Sequence, residues 1–286
     1  MKTRIAIIGC GNIGKAVQQA VSAAEDMELA GMYHHTDNID AIEADVVALC
    51  TPTREVPAMA ERLLLRGIST VDSFDIHGQI AGLRQQLRPV ALKKETVSVI
   101  AAGWDPGTDS VIRSLLLAIA PEGITYTNFG PGRSMGHTVA AKTIPGVKDA
   151  LSITIPLGTS IHRRMVYIEL QDDADFSTVE KAILQDDYFA HDETHVIAVP
   201  SVSALNNVAH GVNLVRSGVS GETHNQRFEF NMTINNPALT GQVLVAYARA
   251  AVRMKAEKRF GVYTTIEIPP IYLLAGNEEE LIRTLV

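Results

Sequence analysis

A chain of 286 residues has room for two domains at roughly 150 residues each, and its 46% hydrophobic and 20% charged content excludes a disordered tail. Twenty-five basic against 32 acidic residues leave 25 − 32 = −7, which speaks against nucleic acid or an anionic membrane surface as partner. Two cysteines, Cys10 and Cys50, make neither a disulfide framework nor a zinc site, and no apolar run approaches the ~18 residues of a membrane span.

In chain order, Lys2 and Arg4 stand before an apolar stretch too short for a secretory leader, so a cytoplasmic protein is expected. Arg4–Ile8 is a continuous β-branched run, the pattern of a strand buried on both faces of a parallel sheet. It runs into Gly9-Cys10-Gly11-Asn12-Ile13-Gly14 and a helix over 15–21. At this junction Gly9 permits the tight turn and Gly11 the approach of a pyrophosphate. Gly14 allows close strand–helix packing, so a dinucleotide is expected on the helix amino end.

A second strand over 28–33 ends in His34-His35-Thr36, with Asp37 late for a ribose-binding acid. The histidines suit either a 2′-phosphate or a solvated loop. The 37–44 link is too short for a strand–helix–strand unit, so this half of the sheet is abbreviated. Further strands are expected over 45–50 and 69–75, with helices over 55–66 and 79–94 and a last parallel strand over 96–102.

Ligands bind beyond the carboxyl ends of such strands. Thr51, Thr53, Arg54, Asp72, Asp75, Trp104 and Asp105 therefore fall at the mouth, and the cofactor is expected on the turns that carry them, with Pro52, Ser73, Phe74, Ala102, Gly103 and Pro106. Three acids there suit a substrate carrying ammonium groups, although one of Asp72 and Asp75 is also open to a helix-capping role.

From 107 the pattern changes to a helix over 109–120, with Val111, Ile112, Leu115, Leu116 and Ile119 on one side, and then to antiparallel strands. The expected architecture is a Rossmann-type α/β domain over 1–106. A C-terminal α+β substrate and dimerisation domain follows over 107–286, with an open, mainly antiparallel sheet. Over 161–170, period-two alternation puts Arg164 on the apolar face with His162, Val166 and Ile168. An inward guanidinium needs an anion, either a substrate carboxylate or an internal acid. A long amphipathic helix over 237–258 suits packing on the nucleotide domain or on another subunit, and 264–270 reads as a closing strand or edge segment.

Several segments occur in one order along nearly the whole chain. They are Gly9-x-Gly11-x-x-Gly14, Val71-Asp72-Ser73-Phe74-Asp75, Gly103-Trp104-Asp105-Pro106-Gly107, Gly130-Pro131-Gly132 with Gly136-His137, His162-Arg163-Arg164, His210-Gly211 and Asn236-Pro237. In this the chain resembles the meso-diaminopimelate dehydrogenase family. The resemblance implies NADP-dependent oxidative deamination at the D-centre of meso-2,6-diaminopimelate, with NAD left open because His34-His35 stand where the family generally has arginines.

It also implies that Asp75 and Asp105 face substrate ammonium groups and that Trp104, Phe129 and Met135 line the pocket. Thr154, Arg164, His210 and Asn236 would grip the distal end, and a homo-oligomer, most simply a dimer, is implied. The amine must lose a proton before hydride leaves, and Asp75 or Asp105 is the expected acceptor. Two other readings stand beside this one: a sugar or polyol dehydrogenase of the glucose-fructose oxidoreductase type, and a non-catalytic nucleotide-bound sensor.

Overall fold

The first strand, β1 (Thr3–Ile8), has a parallel neighbour on each side in the computed structural model, which describes residues 2–205 and 209–286. Ile5 and Ile7 enter one core, Ala6 and Ile8 the other, and all four are fully buried. With both faces covered there is no solvent side to call for polar residues, so the run is continuous. The chain continues through α1 (Asn12–Ala23), β2 (Met27–Tyr33), β3 (Val46–Leu49), α2 (Val56–Leu65), β4 (Ser69–Asp72), α3 (Ile80–Lys93), β5 (Val97–Val99) and α4 (Thr108–Ile119). The link from β2 to β3 is a single 3-10 turn at Ile39–Ala41. Arg66 fastens it by donating to the carbonyls of Ile39 (2.7 Å) and Ile42 (2.9 Å).

Next come β6 (Glu122–Phe129), β7 (Gly132–Arg133), α5 (Met135–Lys142), β8 (Val147–Gly158), β9 (Ile161–Leu170), α6 (Phe176–Gln185), β10 (Glu193–Ala198), β11 (Ala209–Ser220) and β12 (Thr223–Asn235). These strands run mainly antiparallel, but in two sheets rather than one. One has the order β10-β9-β8-β7, with β10 parallel to β9; the other is β12-β11-β6. Val166 and Ile168 of β9 pack with Ala141 of α5 and with Val179 and Ile183 of α6. Arg216 of β11 is buried and donates to the carbonyls of Ala120 and Pro121 and to Thr125 Oγ1, which satisfies chain ends just past α4.

The chain ends with α7 (Asn236–Ala256), β13 (Gly261–Tyr263) and α8 (Glu278–Leu285). β13 pairs in parallel with β5 and completes a six-stranded sheet of order β13-β5-β4-β3-β1-β2. The strand expected over 96–102 is therefore not the last of the sheet. The closing strand expected over 264–270 stops at Tyr263. There Thr264 and Glu267 form a capping box around a 3-10 turn, and Pro269-Pro270 lack N–H donors for a ladder. Residues Val243, Leu244, Tyr247, Ala250 and Met254 of α7 share a core with Ile5 and Ile7. A Cβ on Gly241 would come within 2.7 Å of the Ala16 backbone, so only glycine lets α7 lie this close to α1.

Two compact units result: Met1–Ile112 with Pro237–Val286, and Arg113–Asn236. This corrects the division at 106/107, because 237–286 give a strand and a long helix to the first unit. The apolar stripe expected along α4 is also not a core face within the chain. Leu115 is 55% and Ile119 49% exposed. Among the described residues, no helix is long and apolar enough to cross a membrane.

Candidate active site

All strands of the first unit's sheet run in parallel, so their carboxyl ends share one edge. The order reverses at β1, where a doubly wound sheet opens a crevice. Gly9 has φ +113°, and a Cβ there would fall 2.3 Å from Cys50 O; one on Gly14 would fall 1.8 Å from Gly9 O. A Cβ on Gly11 would meet nothing within 4 Å. The amino end of α1 has no capping side chain and no acid in its first turn. The first N–H groups, those of Asn12 and Ile13 among them, thus have no capping side chain, a setting that fits the pyrophosphate of a dinucleotide. His34 and His35 follow β2 on the same edge, in a turn closed by His34 N–H donating to Asp37 Oδ2 (2.7 Å). Thr51 Oγ1, beyond β3, is buried without a hydrogen-bond partner, as suits a polar ligand.

The acids at this edge differ in kind. Asp72 ends β4 and is fully buried; its Oδ1 accepts from Phe74 N–H (3.0 Å) and Ala101 N–H (3.1 Å). It therefore ties the turn after β4 to the turn after β5. Burial pushes its pKa up to about 6, against those two hydrogen bonds. The helix-capping role left open for Asp72 is replaced by this tie. Phe74 and Ala102, expected to touch a dinucleotide, point into the two cores, which leaves only their backbone for a ligand.

Asp75 faces the edge instead. Its N–H donates to Thr53 Oγ1 (3.2 Å), while its Oδ1 is buried with no partner. Burial raises its pKa, opposed by the Thr53 hydroxyl, its own backbone N–H and His77. Asp105 Oδ1 lies 3.9 Å from His77 Nε2. The loop holding Gly103, Trp104, Asp105 and Pro106 is a tight one: Gly103 N–H donates to Pro106 O (3.0 Å), and a Cβ on Gly107 would strike Gly103 O. Trp104 is 6% exposed, with its carbonyl accepting from Asp109 N–H at the start of α4.

In the second unit a different cluster forms around Arg164. Strand register sets Thr154 of β8 directly opposite Arg164 of β9, and Thr194 of β10 on its other side. The guanidinium donates through Nη1 to Thr154 Oγ1 and through Nε to Asp192 Oδ2 (2.6 Å). An internal acid thus partners Arg164, the second of the two anions that its inward direction required. His162, two residues along the same face, accepts at Nε2 from Phe129 N–H (2.8 Å), with ring centroids 5.3 Å apart.

His210 is buried on β11. A Cβ at Gly132 would overlap Ala209 O, and that close approach brings the start of β11 against β7. Burial, reinforced by the charge of Arg164, lowers the pKa of His210 to about 4 and holds that of His162 below the usual range. Both are neutral near pH 7 and add hydrogen-bonding capacity without repelling the guanidinium. Met135 opens α5, and Asn236, buried, closes the unit.

Two contributors were missed in the sequence. Asp192 lies in a stretch to which the sequence assigns no role, and its partner shows only in the folded chain, where it accepts from Arg164 Nε. His137 stands in the Gly136-His137 motif, to which the sequence assigns no role. It is packed edge-on to Tyr188 and Phe189, bonds Ser134 Oγ at 2.8 Å, and is pushed down to about 3 by burial.

Residues 103–162 match the family of the diaminopimelic acid dehydrogenase C-terminal domain. The chain is 56% identical over 301 residues to the meso-diaminopimelate D-dehydrogenase of Bacteroides fragilis, covering 100% of this chain and 99% of that one. Among solved structures, C. glutamicum DAP dehydrogenase in complex with DAP superposes with a TM-score of 0.91 at 29% identity, over 100% of this chain and 99% of that one. An engineered D-amino acid dehydrogenase bound to NADP+ gives 0.90 at 27% identity, over the full length of both. The chain belongs to the meso-diaminopimelate D-dehydrogenase family.

Proposed function

We propose that the chain catalyses the reversible, NADP-dependent oxidative deamination of the D-centre of meso-2,6-diaminopimelate. The products are L-2-amino-6-oxopimelate, ammonia and NADPH, and the step belongs to lysine and peptidoglycan precursor synthesis. The observation that carries this reading is the unpartnered, buried Oδ1 of Asp75 at the carboxyl edge of the parallel sheet, with Asp105 also at that edge. A buried carboxylate oxygen left without a donor is costly unless a ligand supplies one. A substrate ammonium does so, and it is the group that must lose a proton before its lone pair can expel hydride from Cα.

When bound, NADP supplies the nicotinamide carbon that takes this hydride. Gly9, Gly11, Asn12, Ile13 and Gly14 would hold its pyrophosphate, His34 and His35 its 2′-phosphate, and the turns at 51–53, 73–75 and 102–106 the rest. Asp75 takes the ammonium proton, with Asp105 holding the same nitrogen, and its raised pKa brings it nearer the working pH of a base. Trp104, Phe129 and Met135 exclude water. Thr154, Arg164, His210 and Asn236 bind the distal amino-acid end, its carboxylate on the guanidinium. Water then attacks the imine carbon and ammonia leaves. A cytoplasmic homodimer accords with the family resemblance.

The test is the initial rate of reduced-cofactor formation with meso-, L,L- and D,D-diaminopimelate, with NADP and NAD in parallel. Turnover requires a D-centre, so the meso isomer with NADP is expected to be fastest and the L,L isomer inert. Equal rates on the L,L isomer, or no turnover on any isomer, would refute the reading.

A further inference from the structure

The side of the Arg164 guanidinium that a carboxylate ordinarily clamps, Nε with Nη2, is already half taken. Nε donates to Asp192, Nη1 to Thr154, and among the described residues Nη2 has no protein acceptor. We propose that Asp192 is a positioning residue: it fixes the guanidinium so that its Nη end faces the distal carboxylate of the substrate. This rests on the assignment of Arg164 to that carboxylate.

The placement of Asp192 is built into the fold. Parallel pairing sets Thr194 beside Arg164, and Asp192, in the turn just ahead of β10 and two residues before Thr194, accepts from Arg164 Nε. The loop ahead of β10 is held by several bonds. Asp192 N–H donates to Phe189 O, and Thr194 Oγ1 donates to the carbonyls of Phe189 and Asp192. Phe189 is anchored in the core.

His137 holds the same loop from α5. It bonds the Tyr188 backbone on one side and Ser134 on the other, with the Tyr188 and Phe189 rings against it. Among the described residues, the histidines that feel the Arg164 charge are His137, His162 and His210, all with lowered pKa values, so near pH 7 they leave the ion pair electrically undisturbed. The Arg164 side chain is 11% exposed and that of Asp192 26%, so the pair is largely shielded from solvent screening.

A guanidinium with two of its three nitrogens engaged has one orientation left. Carboxylate binding then needs no reordering of a flexible side chain, which is the usual source of affinity in a preorganised site. The consequence is specific to the distal end of the substrate. Loss of Asp192 weakens substrate binding through Arg164 and leaves the hydride and proton steps alone.

The test is a double-mutant cycle on steady-state kinetics, with NADPH affinity and thermal melting as folding controls. Arg164→Met alone is expected to raise KM for meso-diaminopimelate about a hundredfold. Asp192→Asn is expected to raise it about tenfold, with kcat within about twofold of the parent, as for removal of ground- and transition-state binding alike. Asp192→Glu is expected to recover part of the loss. In the Arg164→Met background, Asp192→Asn should add less than about twofold, because the guanidinium it orients is gone.

Effects on KM that multiply in the double variant would overturn the proposal and make Asp192 merely structural, as would an unchanged KM in Asp192→Asn. Where Asp192→Asn does not fold, Asp192→Glu carries the same test. A KM raised severalfold is expected, and one at the parent value overturns it. An unchanged KM in Arg164→Met refutes the assignment of Arg164 instead, whatever Asp192 does.

Discussion

At the edge of the parallel sheet Asp75 keeps a buried oxygen with no donor, whereas in the second unit the Arg164 guanidinium is balanced by Asp192 and Thr154. The first arrangement is electrostatically incomplete until a cation arrives, and the second is complete and needs only to share its remaining N–H groups. The difference suits two tasks. A base must change protonation during turnover, so its environment holds the charged form only loosely. A grip on a distant carboxylate must stay fixed, so its charge is neutralised and held in one orientation. Asp72 shows that burial alone does not make a base: its Oδ2 also lacks a partner, but the side chain is fully buried and its Oδ1 is held by two backbone N–H groups that fix it as a structural tie.

The largest expected effect separates these roles. Asp75→Asn keeps the shape of the side chain and removes the proton acceptor, so kcat is expected to fall by about 10²–10⁴. NADPH affinity, read by fluorescence titration, should change little. Because burial raises the pKa of Asp75, its basic form is reached at a higher pH than for an ordinary carboxylate. Deamination is therefore expected to rise with pH through that raised value in the parent and to lose this limb in Asp75→Asn. Turnover within a few-fold of the parent would place the base elsewhere.

A smaller effect tests Asp72. The folded chain holds its proton up to about 6, whereas the unfolded carboxyl titrates at 3.8. Between those values the folded state binds more protons, so this group makes stability fall as pH rises, by at most about 3 kcal/mol. Asp72→Asn keeps a carbonyl acceptor for Phe74 and Ala101 and cannot ionise. Urea unfolding from pH 4 to 7 should show a flatter profile in this variant, and an identical slope would remove Asp72 from the pH response.

Much of the first unit was legible because its signals are local. Ile5–Ile8 must be apolar to be buried on both faces, and within the glycine motif after them Gly9 and Gly14 are the two whose Cβ atoms would collide. The mouth followed from the rule for parallel strands. What escaped is set by distant partners. β13 is three residues long and finds β5 only after the chain has passed through the second unit. Phe74 sits between two acids, yet its ring enters a core that the sequence does not display. The inward direction of Arg164 was readable from alternation. Its partner was not, because a parallel register between β9 and β10 leaves no mark in either strand.

The most direct measurement is a crystal structure of the ternary complex with NADP+ and meso-diaminopimelate. The D-centre nitrogen is expected within hydrogen-bonding distance of Asp75 and Asp105, and the distal carboxylate on the Nη end of Arg164 while Nε stays on Asp192. A complex with both acids turned away from the D-centre and the guanidinium away from the distal carboxylate would contradict the account.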